Sequence, residues 1–419
     1  MNKSRFRLPL LLSTCLAVPV SAGLSGSEPA AVKTITLDTD FEGASVGAWE
    51  QVDDTSIEFN ILADNDGTSN HKRWYSFRLT GAAERDITLR IVNAGDTNAS
   101  GAWRFNAPVV SHDDGETWNR IKNARYANGV FEFAYTPETD SDWLALVPVY
   151  NFSRWLDLLE EIESHSRVSG VELLAESLDG NPVHLLSLAD PDIPESEKHS
   201  IWVVGRQHPG ETPGSWMIEG LIRWLLSDSP QAAALLENCS FHIIGFINPD
   251  GVLRGNFRTN AAGLNLNRQW LDTDPQAPTI QAAIDRIVHH HETHDDILLF
   301  SDKHAHSSIR ENFFYYNSAE VTSREMYDEM LAFKRSFNEI NPDFNPDGGR
   351  DGGIAGTTAK AWGYRALGVH SITFEAAYQD VTYGPNDGRY MTVERYLALG
   401  SDFGRAVARF FYEIPSAED

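Results

Sequence analysis

The pattern of the sequence changes near residue 150, and this change most constrains how the chain can fold. Before it, short segments of aromatic and β-branched residues recur, such as residues 74–79 and 130–135. Turn-forming clusters separate them, for example residues 63–67. Short strands with frequent turns are typical of a sandwich of two sheets. The pattern therefore predicts an all-β sandwich domain over residues 23–150.

After residue 150, apolar strands alternate with segments of helical periodicity. We expect strands at residues 201–205, 241–246, 297–300 and 369–374, and helices at residues 155–162, 217–225, 323–340 and 392–412. Strands that alternate with helices indicate an α/β fold. The sequence therefore predicts a second domain over residues 151–419, built on a mixed, mostly parallel wound sheet with helices on both faces.

The first 22 residues have the pattern of a secretory signal peptide. Three basic residues precede an apolar run over residues 8–20, and small residues allow cleavage after Ala22. The run is too short to span a membrane. We therefore expect a periplasmic or secreted protein without membrane insertion, with lipid attachment at Cys15 as the alternative. Cleavage would leave Cys239 as the one cysteine, which excludes an internal disulfide.

The charge of the chain excludes one class of partner. Lys and Arg total 34 against 60 Asp and Glu, which gives a formal net charge of −26. A protein that binds duplex nucleic acid needs clustered positive charge, so nucleic acid is not an expected partner. The content of 42% hydrophobic residues is enough for a sizeable core, so wholesale disorder is also excluded.

Residues that can bind a metal follow two of the predicted strands in the second half of the chain. His208 and Glu211 come after the first strand, and His304 and His306 come after the third. Binding sites in open α/β sheets gather at the carboxyl ends of strands. Two histidines and one glutamate form the ligand set of a catalytic zinc, which keeps one position for water. His-x-x-Glu alone arises often by chance, so the prediction of one zinc ion depends on the whole set.

Other polar residues near these strands suggest hydrolytic chemistry. Glu375 ends the last predicted strand, where a carboxylate can act as a general base. A structural ion pair with an arginine is the alternative for this glutamate. Arg258 and the pair Asn267 and Arg268 lie between the candidate ligands in the sequence. An arginine near a metal can stabilise an oxyanion, and an Asn–Arg pair can bind a terminal carboxylate.

Six motifs follow one another in a fixed order along the second half of the chain. They are His208-Pro209-Gly210-Glu211, Asn248-Pro249-Asp250-Gly251, Arg258, Leu266-Asn267-Arg268-Gln269-Trp270, Asp302-Lys303-His304-Ala305-His306-Ser307 and Thr373-Phe374-Glu375. This series resembles the zinc metallocarboxypeptidases, and within them an exported, bacterial-type member of the cytosolic-carboxypeptidase-like subfamily. Residues 71–78, 91–93 and 147–150 look like the β-sandwich domain that precedes the catalytic domain there.

The resemblance implies a carboxypeptidase-like fold and a role for each matching residue. It implies that His208, Glu211 and His304 bind zinc. It also implies that Glu375 is the general base and proton shuttle and that Arg258 polarises the scissile carbonyl. The activity implied is hydrolysis of the C-terminal peptide bond of peptides or proteins.

The same resemblance implies how a substrate is recognised. Asn267 and Arg268 would hold the terminal carboxylate of the peptide. Residues 356–360 resemble the Gly-Thr-x-Arg segment of the subfamily, in which a basic residue faces the side chain being removed. Here Ala359 takes the place of the arginine and Lys360 follows it. If Lys360 reaches the pocket, it favours a C-terminal glutamate or aspartate, and a surface lysine is the alternative.

The sequence departs from related enzymes at two points. Ala305 stands where the subfamily usually has glycine. Pancreatic-type enzymes carry a tyrosine on a mobile loop before the last strand, whereas residues 341–362 contain none. We therefore assign no tyrosine to catalysis.

Two rival functions and one rival metal site remain open. The rival functions are an amidase that acts on cell-wall peptides and a catalytically silent peptide-binding protein. Residues 289–294 are rich in histidine, but Asp295 replaces the second histidine of a His-Glu-x-x-His motif. We expect a polar helix end there rather than a metal site.

Overall fold

Three β-sheets organise the chain in the computed structural model, which describes residues 34–349, 351–352, 356–386 and 388–415. Two five-stranded sheets come first, and an eight-stranded sheet follows. The predicted signal peptide and Cys15 lie outside the described residues. Among the helices that are described, none has the length and apolar character needed to cross a bilayer.

The first two sheets contain ten strands. Their bounds are β1 Thr36–Asp38, β2 Trp49–Asp53, β3 Ser56–Phe59, β4 Ser76–Thr80, β5 Ile87–Ile91, β6 Val109–Ser111, β7 Asn119–Arg120, β8 Ala124–Ala127, β9 Val130–Tyr135 and β10 Ser141–Ala145. One sheet has the order β1-β4-β10-β6-β7 and the other β2-β3-β5-β9-β8. Short helical segments interrupt them at Asp64–Gly67 (α1), Ala94–Asp96 and Ser100–Phe105.

The two sheets pack against each other through apolar side chains. Along β5, Ile87, Leu89 and Ile91 are buried while the residues between them are partly exposed, as the period of a strand requires. The ring of Phe59 in β3 lies 5.3 Å from that of Phe77 in β4, so the two sheets share one core. The predicted all-β region is confirmed.

The third sheet contains eight strands in the order β11-β12-β14-β13-β15-β18-β16-β17. Their bounds are β11 Val168–Glu176, β12 Pro182–Leu188, β13 His199–Gly205, β14 Cys239–Ile244, β15 Ile297–His306, β16 Phe313–Asn317, β17 Asp351–Gly352 and β18 His370–Ala377. The central strands β14, β13, β15 and β18 are parallel to one another. The pairs β11–β12, β12–β14 and β16–β18 are antiparallel, so the sheet is mixed as predicted.

Helices cover both faces of this sheet. Their bounds are α2 Phe152–Ile162, α3 Thr212–Leu225, α4 Pro230–Asn238, α5 Pro249–Leu253, α6 Pro278–His294, α7 Arg324–Ile340, α8 Ala359–Trp362 and α9 Val393–Tyr412. Shorter turns of 3₁₀ helix lie at Glu195–Glu197, Leu266–Arg268 and Gly384–Asn386, and a π-helical turn lies at Gly363–Leu367. Ile201 and Val203 of β13 pack in the core that contains residues of α3 and α9. Trp202 and Val204 face the opposite side, in the core that contains residues of α6.

Helices α3 and α9 approach each other closely at two glycines. A Cβ atom at Gly220 would lie 2.1 Å from the carbonyl oxygen of Leu397, and one at Gly400 would lie 1.8 Å from that of Met217. Only glycine permits this approach of two backbones. This contact holds α3 in place against α9. The first turn of α3 begins directly after Glu211.

The sandwich and the wound sheet share a continuous apolar core. From Thr34 onward the chain forms one compact unit. Apolar residues of both parts, among them Phe77 and Trp216, belong to one cluster. Arg120 in β7 donates to the carbonyl oxygen of Tyr378 and, at 2.9 Å, to Oε1 of Gln379, which follow β18. The domain boundary at residue 150 therefore stays a prediction.

Candidate active site

The turn after β13 carries the first two candidate ligands. The strand ends at Gly205, and Arg206 adopts a left-handed conformation with φ of 55°. The turn then places His208 and Glu211 in the interior, with exposed fractions of 3% and 7%. The amide of Gly210 donates to the carbonyl oxygen of Phe257 at 2.9 Å, which ties the turn to the loop that contains Arg258.

The third candidate ligand lies inside a strand. The sequence predicts a strand that ends at Phe300, but β15 continues to His306 and contains His304. The longer strand forms because residues 299–306 pair with residues 370–377 of β18 without interruption. This pairing buries the polar residues of the motif beside apolar ones. The predicted strand end was therefore wrong by six residues.

The three candidate ligands converge on one point. Nδ1 of His208 lies 2.8 Å from Oε1 of Glu211, and Nδ1 of His304 lies 2.7 Å from Oε2 of the same carboxylate. Ligand atoms of the three residues all lie within 4.8 Å of one another. Within the described part of the chain, no other group of three or more His, Cys, Asp and Glu side chains brings its ligand atoms this close together. The predicted ligand set is thus brought together at a single place.

The far side of each histidine is bound by an acceptor. Nε2 of His208 lies 3.0 Å from Oδ1 of Asn265, and Nε2 of His304 lies 2.8 Å from Oδ2 of Asp302. Gln207 donates to Oδ1 of Asp302 at 2.7 Å. Such contacts place the proton on Nε2 and direct Nδ1 toward a metal. Two nitrogen donors and one carboxylate therefore fit the requirements of a catalytic zinc.

His306 does not belong to this set. Its Nε2 lies 3.1 Å from the carbonyl oxygen of Glu311, and its Nδ1 accepts from the amide of Ile309 at 3.1 Å. Both ring nitrogens contact residues 309–311 instead of Glu211, so His304 is the histidine of this segment that is placed to coordinate.

Burial and neighbouring charges shift the pKa values of the three candidate ligands. Burial lowers the pKa of His208 to about 4, which keeps the ring neutral. Burial opposes the ionisation of Glu211, but the two histidines hold its pKa well below the usual range. Burial also opposes the charging of His304, yet Asp302 and Glu211 raise its pKa well above the usual range. His304 would have to lose that proton to coordinate a metal.

Glu375 lies beside the candidate ligands on the next strand. In the pairing of β15 with β18, Glu375 is the partner of His304. Its Oε2 is buried and has no hydrogen-bond partner among the described residues. Burial, with the charges of Glu211 and Asp302, raises the pKa of Glu375 to about 8. A buried carboxylate with an unused oxygen and a raised pKa is typical of a proton-transfer group.

The candidate substrate-binding groups surround the same place. Nη1 of Arg258 lies 3.8 Å from Oε1 of Glu211. Asn267 contacts Nε2 of His304 through Nδ2 at 3.1 Å, and its Oδ1 accepts from the amide of Ala359 at 2.9 Å. Burial and the positive charge of Arg258 lower the pKa of Arg268. Two cations therefore share a site that suits an anion.

All the predicted site residues line one cavity of about 640 Å³. They are His208, Glu211, Arg258, Asn267, Arg268, His304, Lys360 and Glu375. Lys360 is buried, and its Nζ donates to Oδ1 of Asn317 at 2.8 Å and to the carbonyl oxygen of Tyr316 at 3.3 Å. The sandwich contributes His71 and Asn98 to the same wall, which the sequence did not predict.

Comparison with known families assigns the chain to one of them. Residues 153–385 match the family described as zinc carboxypeptidase. The chain belongs to the zinc carboxypeptidase family. Residues 37–146 match the cytosolic carboxypeptidase N-terminal domain. The protein is therefore a peptidase of the metallocarboxypeptidase class, and the resemblance found in its sequence is confirmed.

Several individual proteins are similar to nearly the whole chain. A Zymomonas mobilis protein is 30% identical over 391 residues, which span 91% of this chain and 98% of the relative. Cytosolic carboxypeptidase 6 of Mus musculus is 30% identical over 404 residues, which span 90% of this chain and 73% of the relative. A metallo-carboxypeptidase from Burkholderia cenocepacia superposes with a TM-score of 0.83 at 27% identity, covering 90% and 99% of the two chains. The predicted carboxypeptidase-like fold is confirmed.

Proposed function

We propose that this zinc carboxypeptidase family member depends on one zinc ion and removes C-terminal residues from peptides or proteins, with a preference for acidic residues. The main support for this proposal is that His208, Glu211 and His304 lie together, next to Glu375. The donor set and the unused carboxylate oxygen match what hydrolysis of an amide requires.

The proposed zinc site uses one side of each histidine. Nδ1 of His208, Nδ1 of His304 and the Glu211 carboxylate would hold the ion, while Asn265 and Asp302 fix the two rings from behind. Zinc in such a site supplies Lewis acidity and lowers the pKa of a water molecule to about 7. The protein residues determine where the substrate lies and where the proton goes.

Glu375 is proposed to move the proton. The residue lines the cavity and has one oxygen without a partner among the described residues. Its raised pKa lets it accept a proton from water and return it to the leaving amine near neutral pH. Arg258 stabilises negative charge on the carbonyl oxygen, because its guanidinium reaches the immediate neighbourhood of Glu211.

The peptide terminus is proposed to bind to Asn267 and Arg268. A guanidinium and an amide can hold a carboxylate by several hydrogen bonds, and this contact requires a free C-terminus. Asn267 also touches the backbone at Ala359, next to Lys360, so the terminus and the last side chain would be bound side by side. Lys360 in the cavity wall supports a preference for a C-terminal glutamate or aspartate. Export to the periplasm or medium stays part of the proposal.

Metal removal tests the proposed zinc dependence. We expect one zinc per chain, loss of peptide hydrolysis after chelation, and recovery when zinc is added. His208→Ala should lower the zinc content, whereas His290→Ala should not, since His290 is equally buried but lies in α6 outside the site. Glu375→Gln should keep the zinc and lose about 10²–10⁴-fold in kcat.

Several results would contradict the proposal. Full activity of the metal-free protein would exclude zinc dependence, and unchanged kcat in Glu375→Gln would exclude its role as the base. Hydrolysis of cell-wall fragments alone would favour the amidase. Zinc binding without hydrolysis of any peptide would favour a silent binding protein.

A further inference from the structure

A carboxylate from the β-sandwich lies directly against the loop that carries Arg258. Asp64 belongs to the short turn α1, far from Arg258 in the sequence, yet only 3% of it is exposed. Residues 256–260 form the loop that we call the arginine loop. The contact between Asp64 and this loop joins the sandwich to the active site.

Asp64 accepts hydrogen bonds from three consecutive backbone amides of the arginine loop. Its Oδ1 accepts from the amide of Phe257 at 2.6 Å. Its Oδ2 accepts from the amides of Arg258 and Thr259, both at 2.8 Å, and from Oγ1 of Thr259 at 3.0 Å. One side chain therefore satisfies four donors and fixes the backbone on both sides of Arg258.

The neighbouring residue strengthens the same contact. Asn65 donates from its Nδ2 to the carbonyl oxygen of Asn260 at 2.9 Å, and its Oδ1 accepts from Asn256 at 3.0 Å. Asn65 has a φ of 53°, a left-handed conformation that asparagine adopts more readily than most residues. The turn α1 is thus shaped to bind both ends of the arginine loop.

The opposite side of the loop contacts the segment of the candidate metal ligands. The carbonyl oxygen of Phe257 accepts from the amide of Gly210, between His208 and Glu211. A Cβ atom at Gly210 would lie 3.1 Å from that oxygen, so the two segments pack with little space between them. The arginine loop is held between the sandwich on one side and the ligand turn on the other.

The geometry points to Asp64 as a positioning residue for Arg258, and we propose that the sandwich is in this way part of the catalytic machinery. The inference rests on the proposed role of Arg258. A buried carboxylate that collects three amides fixes a backbone more firmly than neutral acceptors do, because charged hydrogen bonds are stronger. A small displacement of a group that stabilises the transition state is enough to lower the rate by orders of magnitude.

The test is a double-mutant cycle with Asp64→Asn and Arg258→Ala. Asparagine has the shape of aspartate, but its NH₂ group would face one or more of the loop amides. We expect Asp64→Asn to lower kcat at least about tenfold with little change in KM. In the Arg258→Ala background the same change should lower kcat less than about twofold, because the residue to be positioned is gone. Amide hydrogen exchange at residues 257–259 should be faster in Asp64→Asn.

Asp142→Asn is the matched control. Asp142 is also a fully buried aspartate of the sandwich, and it accepts from the amide of Glu138 at 3.0 Å and from Oγ1 of Thr139 at 2.6 Å. Its loss should lower the melting temperature but keep kcat within about twofold, with unchanged exchange at residues 257–259. If Asp64→Asn does not fold, Thr259→Val removes one donor and should show the same pattern with a smaller change.

The possible outcomes distinguish a failure of the proposed role of Asp64 from a failure of the proposed function. Normal kcat and normal exchange in Asp64→Asn would overturn the inference while leaving the proposed function intact. Equal losses of kcat from Asp64→Asn in both backgrounds would also overturn it, since the effect would not pass through Arg258. A normal kcat in Arg258→Ala would instead contradict the proposed function.

Discussion

The two candidate histidine ligands are each held by contacts at both ring nitrogens. His208 and His304 each present Nδ1 to Glu211, while Asn265 and Asp302 bind their Nε2 atoms. These contacts direct the Nδ1 atoms of both rings toward the Glu211 carboxylate. Glu375 has a buried oxygen without a partner in the described part of the chain. A hydrolytic metal site requires both features, namely candidate ligands held in place by hydrogen bonds and a carboxylate that is free to accept a proton.

The proposed acidic preference can be tested at Lys360. We expect the wild type to have a higher kcat/KM for a peptide ending in glutamate than for one ending in phenylalanine. Lys360→Met should lower the ratio of these two kcat/KM values at least about tenfold, because the variant loses the cation that we propose to attract the acidic side chain of the substrate. The ratio within one enzyme corrects for any loss of folded protein.

Lys360→Arg serves as the control, since it keeps the charge and should keep a preference for glutamate over phenylalanine. A wild type that prefers lysine or phenylalanine over glutamate would exclude the proposal. An unchanged ratio in Lys360→Met would assign the preference to other residues of the cavity.

At the residue level, the sequence predicted the candidate ligands and Glu375 but not the groups behind them. Asp302 lies inside a recognised motif, whereas Asn265 and Gln207 carry no spacing signal. Asp64 was missed because its partners are backbone amides more than 190 positions away. Contacts to distant backbone leave no local pattern in a sequence.

Helix α3 connects the site to the interior of the protein. Its first turn follows Glu211, and its middle packs against α9 at two glycines. On its buried side, Glu219 is only 2% exposed and accepts from Nε and Nη2 of Arg154 at 3.1 and 3.0 Å. It also accepts from Nε of Arg223 at 2.8 Å. These bonds link α3 to α2 and hold the helix that begins directly after the candidate metal ligand Glu211.

We predict a pH-dependent contribution of Glu219 to stability. Burial would raise its pKa, but the hydrogen bonds from Arg154 and Arg223 hold the pKa below the ordinary value. A carboxylate whose pKa is lower in the folded state than in the unfolded state stabilises the fold at pH values above its unfolded-state pKa. This stabilisation is lost as the pH falls through the folded-state pKa. Glu219→Gln should lower the free energy of unfolding by about 2 kcal/mol at pH 7, measured by denaturant titration. The difference should shrink on acidification through the folded-state pKa.

Glu161→Gln is the control for this prediction. Glu161 contacts the same Arg223 at 2.9 Å, but 57% of its side chain is exposed. An exposed ion pair contributes little, so the free energy of unfolding should change by less than about 1 kcal/mol. A similar decrease in the free energy of unfolding in both variants would contradict this prediction. A decrease in Glu219→Gln that does not change with pH would contradict it as well.

The elements that the sequence predicts best are those with a strong apolar repeat. Strand β9 and helices α7 and α9 lie within a residue of their predicted bounds. Strands β11 and β12 were missed. No residue of β11 is fully buried and the strand has no clear alternation, so no apolar repeat marks it in the sequence. Strand β15 was predicted too short, because its second half is polar and is buried only through pairing with β13 and β18. The histidine-rich end of α6 is a polar helix end, as predicted.

At the scale of the whole molecule, the β-sandwich and the α/β part share one apolar core and one candidate active site. The sandwich supplies His71 and Asn98 to the cavity and Asp64 to the arginine loop. The chain carries a formal net charge of −26, yet the cavity wall contains Arg258, Arg268 and Lys360. A cluster of cations within a negative molecule suits a substrate that is anionic at its end. The sequence predicted both halves, but not that they build the site together.

The most direct test of the central claim compares two forms of one peptide by mass spectrometry. One form ends in a free glutamate, and its twin carries a C-terminal amide. We predict that the zinc-loaded protein shortens the free-acid peptide by the mass of one glutamate residue and leaves the amidated twin intact, because the proposed contacts of Asn267 and Arg268 require a terminal carboxylate. Cleavage inside the peptide, or equal cleavage of both forms, would contradict a carboxypeptidase.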